Sequence, residues 1–226
     1  MQKGKFIVID GSDGSGKKTQ TDLLLKSLKS QKIRMAYYDF PQYDKTFFGK
    51  MVGKYLNGEY GDVSEVDPYL GSLLYAGDRW QASEKIKKDL AAGKVVVTNR
   101  YTQSNMGFQT AKINDEKEKK KFLNWLENLE YKVYNIPKVD KVIYLYVPFK
   151  TAQELVGRKS ARNYTKLTHD IHERDTAFMQ KVEKQYLWLA KNYQEWETIN
   201  CIEAVKLLTP KEIAKKVIEV VEKTIR

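Results

Sequence analysis

Residues 6–20, FIVIDGSDGSGKKTQ, constrain this chain more than any other stretch. Phe6, Ile7, Val8 and Ile9 form a continuous apolar run, the pattern of a strand buried on both faces. A turn with Gly11, Gly14 and Gly16 follows, then Lys17, after which Leu24, Leu25 and Leu28 recur at helical spacing. The order is strand, glycine loop, helix, and the loop reads G-x-x-x-x-G-K. Glycines let the backbone turn its N–H groups inward around an anion, and the helix N-terminus adds partial positive charge. Gly11, Ser12, Asp13, Gly14, Ser15, Gly16, Lys17, Lys18 and Thr19 are therefore the candidate phosphate-binding residues, with Lys17 reaching the outer phosphates of a nucleoside triphosphate. A bare glycine turn with a solvated lysine is the bland alternative, and the flanking strand and helix argue against it.

One position departs from the pattern. A Ser or Thr after the lysine would set a hydroxyl on Mg²⁺, but Lys18 stands there. Thr19 is no direct substitute, because one residue along a helix turns the side chain by about 100°. It can still donate to an inner phosphate.

The chain has 226 residues, enough for one α/β domain with a sizeable core. Its single cysteine, Cys201, excludes a disulfide framework and a cysteine-based zinc cluster. The first strand begins so early that no signal or transit segment is expected, and no apolar run has the length of a membrane span. A cytoplasmic protein with no membrane partner is the expectation. The net charge of +11 suits anionic partners. Much of it is lysine on helix faces, as in Lys117 to Lys121 and Lys211 to Lys216, and no nucleic-acid-binding motif is visible, so no nucleic-acid partner is expected.

Further strands are predicted at Ile33 to Tyr38, Lys94 to Thr98, Lys141 to Val147 and Ile199 to Ile202. Helices are predicted over 17–31, 46–57, Asp67 to Ala92, 115–131, 150–157, 170–194 and from Pro210 onward. Alternating strands and helices imply a parallel sheet covered on both faces, and ligands in such folds sit at the carboxyl ends of the strands. Asp10 to Thr19, Asp39 to Tyr43, Asn99 to Ser104 and Val147 to Lys150 are the places to look.

Arg100, at the end of the third strand, can bridge a donor γ-phosphate and an acceptor anion with its forked donors. Tyr75 and Arg79 lie four apart on a long helix, so an aromatic ring and a guanidinium share a face suited to a nucleobase. Asn105 and Gln109 repeat that spacing and offer polar contacts. Arg158 and Arg162, one turn apart in a polar stretch, would stabilise charge on a transferred group if the stretch closed over it. A solvated basic face explains that pair equally well from spacing alone. His169 and His172 read as surface or capping residues, not metal ligands.

Taken together, Asp10 to Gln20, Phe40-Pro41, Leu73 to Arg79, Asn99-Arg100-Tyr101 with Ser104, and the arginines before Asp170 resemble the thymidylate kinase family, in its order and at its spacing. The resemblance implies a three-layer αβα P-loop NTPase fold with a five-stranded parallel sheet, one kinase domain over 1–226, and a short arginine-bearing lid near 157–169. It implies ATP-dependent phosphorylation of dTMP to dTDP, Mg²⁺ and a homodimer. Lys17 would hold donor phosphates. Asp13 would sit near the acceptor's 3′-hydroxyl and metal waters. Tyr75 would stack on thymine, Arg79 would bond its carbonyl edge and Arg100 would bind the acceptor phosphate. Tyr101 would crowd out a 2′-hydroxyl, while Phe40, Ser104 and Gln109 would complete the acceptor site. Gly14 stands where one branch of the family carries arginine, which makes Arg158 and Arg162 the basic residues supplied by the lid.

Asn99 replaces the aspartate usual before the arginine, and Lys18 replaces a hydroxyl residue. Both changes remove a group that helps hold Mg²⁺, so the metal is expected to bind through phosphates and waters. A kinase for another nucleotide or a deoxynucleoside, and a nucleotide-binding regulator without turnover, stay open on the sequence alone.

Overall fold

The computed structural model describes residues 3–63, 65–156, 175–203 and 206–226. Among these, β1 (Phe6–Asp10), β2 (Met35–Asp39), β3 (Val95–Asn99), β4 (Lys141–Tyr146) and β5 (Trp196–Asn200) form one sheet in the order β2-β3-β1-β4-β5. Every pairing is parallel. The strand leading into the glycine loop is therefore central, with β3 and β4 on either side.

Side chains alternate across a strand, and the core divides accordingly. Phe6, Val8, Val96, Val142 and Tyr144 face one cluster, while Ile7, Ile9, Val97, Ile143 and Leu145 face another. The first cluster is covered by α3 (Pro68–Ala91), α4 (Thr102–Phe108), α5 (Glu116–Asn128) and α7 (Thr176–Asn192), through Ile86, Met106, Phe122 and Tyr186. The second is covered by α1 (Lys17–Ser30), α6 (Phe149–Val156) and α8 (Pro210–Ile225), through Leu24, Leu28, Ala152, Val217 and Val221. This is the three-layer αβα arrangement. The short α2 (Phe47–Leu56) packs on α3 through Gly77, where an added Cβ would lie 2.5 Å from the Phe48 ring.

Helix starts follow capping chemistry. Asp67 caps α3 by accepting from Tyr69 and Leu70 N–H groups, with Pro68 at the first position. Thr209 and Glu212 form a capping box on α8. Thr46, Asp115 and Asp175 cap α2, α5 and α7. In contrast, α1 has no side-chain cap and no acid in its first turn.

Several boundaries differ from those predicted. The last strand is Trp196–Asn200, not Ile199 to Ile202. Ile202–Glu203 (β6) instead pairs antiparallel with Lys206–Leu207 (β7). As an edge strand, β5 buries Trp196 and Ile199 and exposes Glu197, Thr198 and Asn200, so it lacks the apolar run of the inner strands. β2 begins at Met35 rather than Ile33. The helix predicted over 115–131 ends at Asn128, and a π-helical turn, Leu129–Val133, follows. Arg158, Arg162, His169, His172 and the predicted lid lie outside the described residues. Among the described residues no helix is long and apolar enough to cross a membrane.

α4 lies close to α7 because Gly107 has no side chain: a Cβ there would sit 2.3 Å from Tyr186 Cε2. Tyr186 is fully buried and cannot retreat. Gly107→Ala should therefore destabilise the protein by about 1–3 kcal/mol through overpacking. The check is a lower urea midpoint with an unchanged m value; an unmoved midpoint would mean that the two helices separate at no cost.

Candidate active site

The carboxyl ends of β1, β2 and β3 open onto a cleft of about 330 Å³, within the size range of small-molecule sites. The glycine loop forms one wall. Gly11 has φ 152°, and a Cβ there would strike Leu145 O and Ser15 Oγ at 2.7 Å. Gly16 has φ 85° and leads directly into α1. A side chain would obstruct the first and strain the second. Lys17 is largely buried and folds over its own loop, its Nζ donating to Ser12 O at 2.8 Å and Gly11 O at 3.0 Å and lying 3.6 Å from Asp13 Oδ1. Lys18 and Thr19 are exposed at the rim, and Lys18 pairs with Asp22 at 3.2 Å.

Arg100 faces this loop. Its φ of 62° is left-handed, a conformation that costs a non-glycine residue about 1–3 kcal/mol. A hydrogen bond from its N–H to Ile9 O at 3.0 Å helps hold it. One guanidinium nitrogen donates to Asp13 Oδ1 at 2.7 Å and the other to Ser104 Oγ at 3.3 Å. Ser104 donates in turn to Asp10 Oδ2 at 2.8 Å, and Asp10 Oδ1 accepts from Tyr186 Oη at 3.0 Å. The guanidinium also lies 5.1 Å from the centre of the Phe108 ring. Burial disfavours its charge, but neighbouring charges led by Asp13 more than offset this and hold it well above the usual arginine pKa. It is a fixed cation.

The second wall comes from α3, where Asp78 and Arg79 point different ways. Asp78 accepts from Gln42 N at 2.8 Å and from Thr46 Oγ1, which ties the loop after β2 to the helix. Arg79 is almost completely buried and donates Nε and a terminal nitrogen to the two oxygens of Glu130, at 2.7 and 2.6 Å. Its other terminal nitrogen donates to Tyr101 O at 3.3 Å. Tyr75 lines the same cleft, its ring edge-on to Tyr55. Tyr101 is wedged between Phe6 and Phe40. Gln109 Oε1 is buried with no hydrogen-bond partner among the described residues.

The cleft thus brings together Asp13, Gly14, Gly16, Lys17, Lys18, Thr19, Phe40, Tyr75, Arg79, Arg100, Tyr101, Ser104, Asn105 and Gln109, all singled out in the sequence. Sequence reasoning did not find the pairings: Glu130 behind Arg79, Asp78 holding the loop after β2, and Asp39, whose Oδ1 accepts from Asn99 Nδ2 at 2.8 Å. A buried carboxylate at the end of an amphipathic helix pattern carries no local sign of its partner.

A glycine loop at the start of a helix, an arginine facing it from the next strand, and a second polar pocket in the same cleft define a P-loop phosphotransferase with two ligand subsites. The thymidylate kinase family model matches residues 9–212. The chain belongs to the thymidylate kinase family. A probable thymidylate kinase of Thermococcus kodakarensis is 31% identical over 92% of this chain and 95% of its own length. The Plasmodium falciparum thymidylate kinase is 34% identical over 67% of this chain and 66% of its own, and the Mycobacterium tuberculosis one is 28% identical over 82% and 85%. The structure of the Candida albicans thymidylate kinase superposes with a TM-score of 0.73 over 99% of this chain and 94% of that one, at 23% identity, and so has the same fold.

The Arg79–Glu130 pair is excluded from solvent, with side-chain exposures of 2% and 0%. Removing either partner leaves an uncompensated buried charge. Glu130→Leu or Arg79→Met alone should cost about 3–5 kcal/mol, whereas the double variant should lose far less. Thermal or urea unfolding of the four proteins checks this, and purely additive losses would contradict it.

Proposed function

We propose that this protein transfers the γ-phosphoryl group of ATP to the phosphate of dTMP, giving dTDP and ADP. The observation that carries this reading is that Lys17 and Arg100 face one another across a single cleft and share Asp13. In the transfer, an acceptor phosphate oxygen forms a bond to the γ-phosphorus as the bond to the β,γ-bridging oxygen breaks. That acceptor oxygen is already ionised, so the step needs no general base, and positioning and charge stabilisation supply the catalysis. This accords with Asn99, which cannot act as one.

The loop N–H groups and Lys17 hold the donor phosphates, and Arg100 takes the acceptor phosphate as it leaves Asp13. Tyr75 stacks on the base and Arg79 donates to its carbonyl edge. The buried, unpartnered Gln109 Oε1 is a natural acceptor for a base or sugar donor. Tyr101, fully buried and held by two rings, leaves little space for a 2′-hydroxyl. Arg158 and Arg162 remain candidates for charge stabilisation from the sequence.

The family implies Mg²⁺. Among the described residues no group of three or more His, Cys, Asp or Glu side chains is arranged to hold a metal. The oxygen donors present do suit a hard cation that keeps most of its ligands on water and phosphate: the Asp13 carboxylate, and the buried, unpartnered Asn99 Oδ1. Mg²⁺, when bound, neutralises charge on the phosphate oxygens. A cytoplasmic homodimer completes the reading. The start of α2 and the adjacent part of α3 support it, where Phe47 is 67% and Trp80 50% exposed.

Coupled ADP release from ATP should be supported by dTMP and not by thymidine, and a preference for an acceptor without a 5′-phosphate overturns the proposal. Arg100→Ala should lower kcat/KM for dTMP about a hundredfold or more. The folded variant should be assayed across Mg²⁺ concentrations, because a loss reversed by excess Mg²⁺ would not fit this role.

A further inference from the structure

The carboxylate that β3 lacks at its end stands one strand away. β2 and β3 are parallel with Asp39 opposite Asn99 in register, so the two side chains leave the sheet at the same level, about 4.8 Å apart. Asn99 Nδ2 donates to Asp39 Oδ1 at 2.8 Å. A carboxylate only accepts hydrogen bonds, so the Asn99 amide must turn its nitrogen toward Asp39, which leaves the carbonyl oxygen over. That oxygen is shielded from solvent and accepts no hydrogen bond among the described residues. Both residues line the cleft that holds Lys17 and Arg100. Lys18, at the position where a hydroxyl residue would meet the metal, is drawn along α1 to Asp22.

We propose that the Asp39 carboxylate and the Asn99 carbonyl oxygen together form the cation-facing edge of the cleft and take a hydrated divalent ion of the Mg²⁺ class, with β2 supplying the carboxylate in place of β3. This rests on the phosphotransfer reading above and assigns its metal-facing residues. Both donors are hard oxygens, the chemistry suited to Mg²⁺ or Mn²⁺ and unsuited to softer ions. Mg²⁺ is typically held through one or two carboxylates while keeping several waters. A water at about 2.1 Å from such an ion, donating across about 2.8 Å, spans roughly the distance between neighbouring strands, so moving the carboxylate one strand over keeps it within reach of the same hydration shell. A purely structural Asp39–Asn99 bond would tie the two strand ends together and give the carboxylate's position no further consequence.

The test moves the carboxylate back. Mn²⁺ binding to the full-length protein with ADP is followed by electron paramagnetic resonance for the parent, Asp39→Asn and Asp39→Asn/Asn99→Asp, with ADP affinity in EDTA measured alongside. Asp39→Asn should weaken Mn²⁺ binding about tenfold or more without weakening metal-free ADP binding. The double variant, with its carboxylate on β3, should recover most of the loss. Unchanged Mn²⁺ affinity in Asp39→Asn, or a loss that the double variant does not recover, overturns the proposal. Because no acceptor is present, this outcome is independent of whether dTMP is the substrate.

Discussion

The site depends on one ion pair, Arg100 to Asp13. It joins the end of β3 to the glycine loop of β1 and so fixes the separation between the two subsites. The pair is not isolated. Asp13 is shared with Lys17, and Arg100 is backed by Ser104, Asp10 and, through Asp10, Tyr186 of α7. The left-handed backbone at Arg100 is part of the same device, since it redirects the chain at the strand end while its N–H stays bonded to Ile9 O. On the proposed reading, an incoming phosphate would compete with a carboxylate for a guanidinium already aimed, so binding would exchange one partner for another instead of ordering a mobile side chain. Such preorganisation limits the reorganisation needed during the reaction.

The other subsite follows a related logic with the opposite balance. Arg79 is neutralised by a bidentate carboxylate and buried with it, so it faces the cleft as a rigid hydrogen-bond donor more than as a bare charge. On the proposed reading that suits an uncharged base edge, just as Lys17 and Arg100, which share Asp13 at the glycine loop, suit phosphates. The adjacent Asp78 pins the loop after β2, and that loop carries Phe40 against Tyr101. Two consecutive residues of one helix thus serve two different walls.

The sequence made the layers and the inner strands legible because their signals are local. A continuous apolar run at Phe6 to Ile9, a glycine loop and a proline-started helix at Pro68 each announce themselves within a few residues. The edge strand did not, because Trp196 to Asn200 buries only two residues and the predicted strand slid toward Ile202. The end of α5 was missed because a π-helical turn preserves helical spacing while rotating Glu130 inward. The unread parts of the site share one cause. Glu130 with Arg79, Asp39 with Asn99 and Tyr186 with Asp10 are pairings across 51, 60 and 176 positions. They are determined by which strands and helices become neighbours, and spacing along the chain carries no trace of that.

The sheet order has a consequence for how the chain matures. β1 comes first yet lies in the middle, and its neighbours are β3 and β4. Behind its loop, α1 rests on α8, with Gln20 Nε2 donating to Pro210 O at 3.1 Å, a contact spanning 190 positions. During synthesis the nucleotide loop therefore lacks its second flanking strand until Tyr146 has emerged, and its rear support until the segment from Pro210 has followed. Closure of such distant contacts is slow, and the ability to grip a nucleotide should be among the last properties a nascent chain acquires.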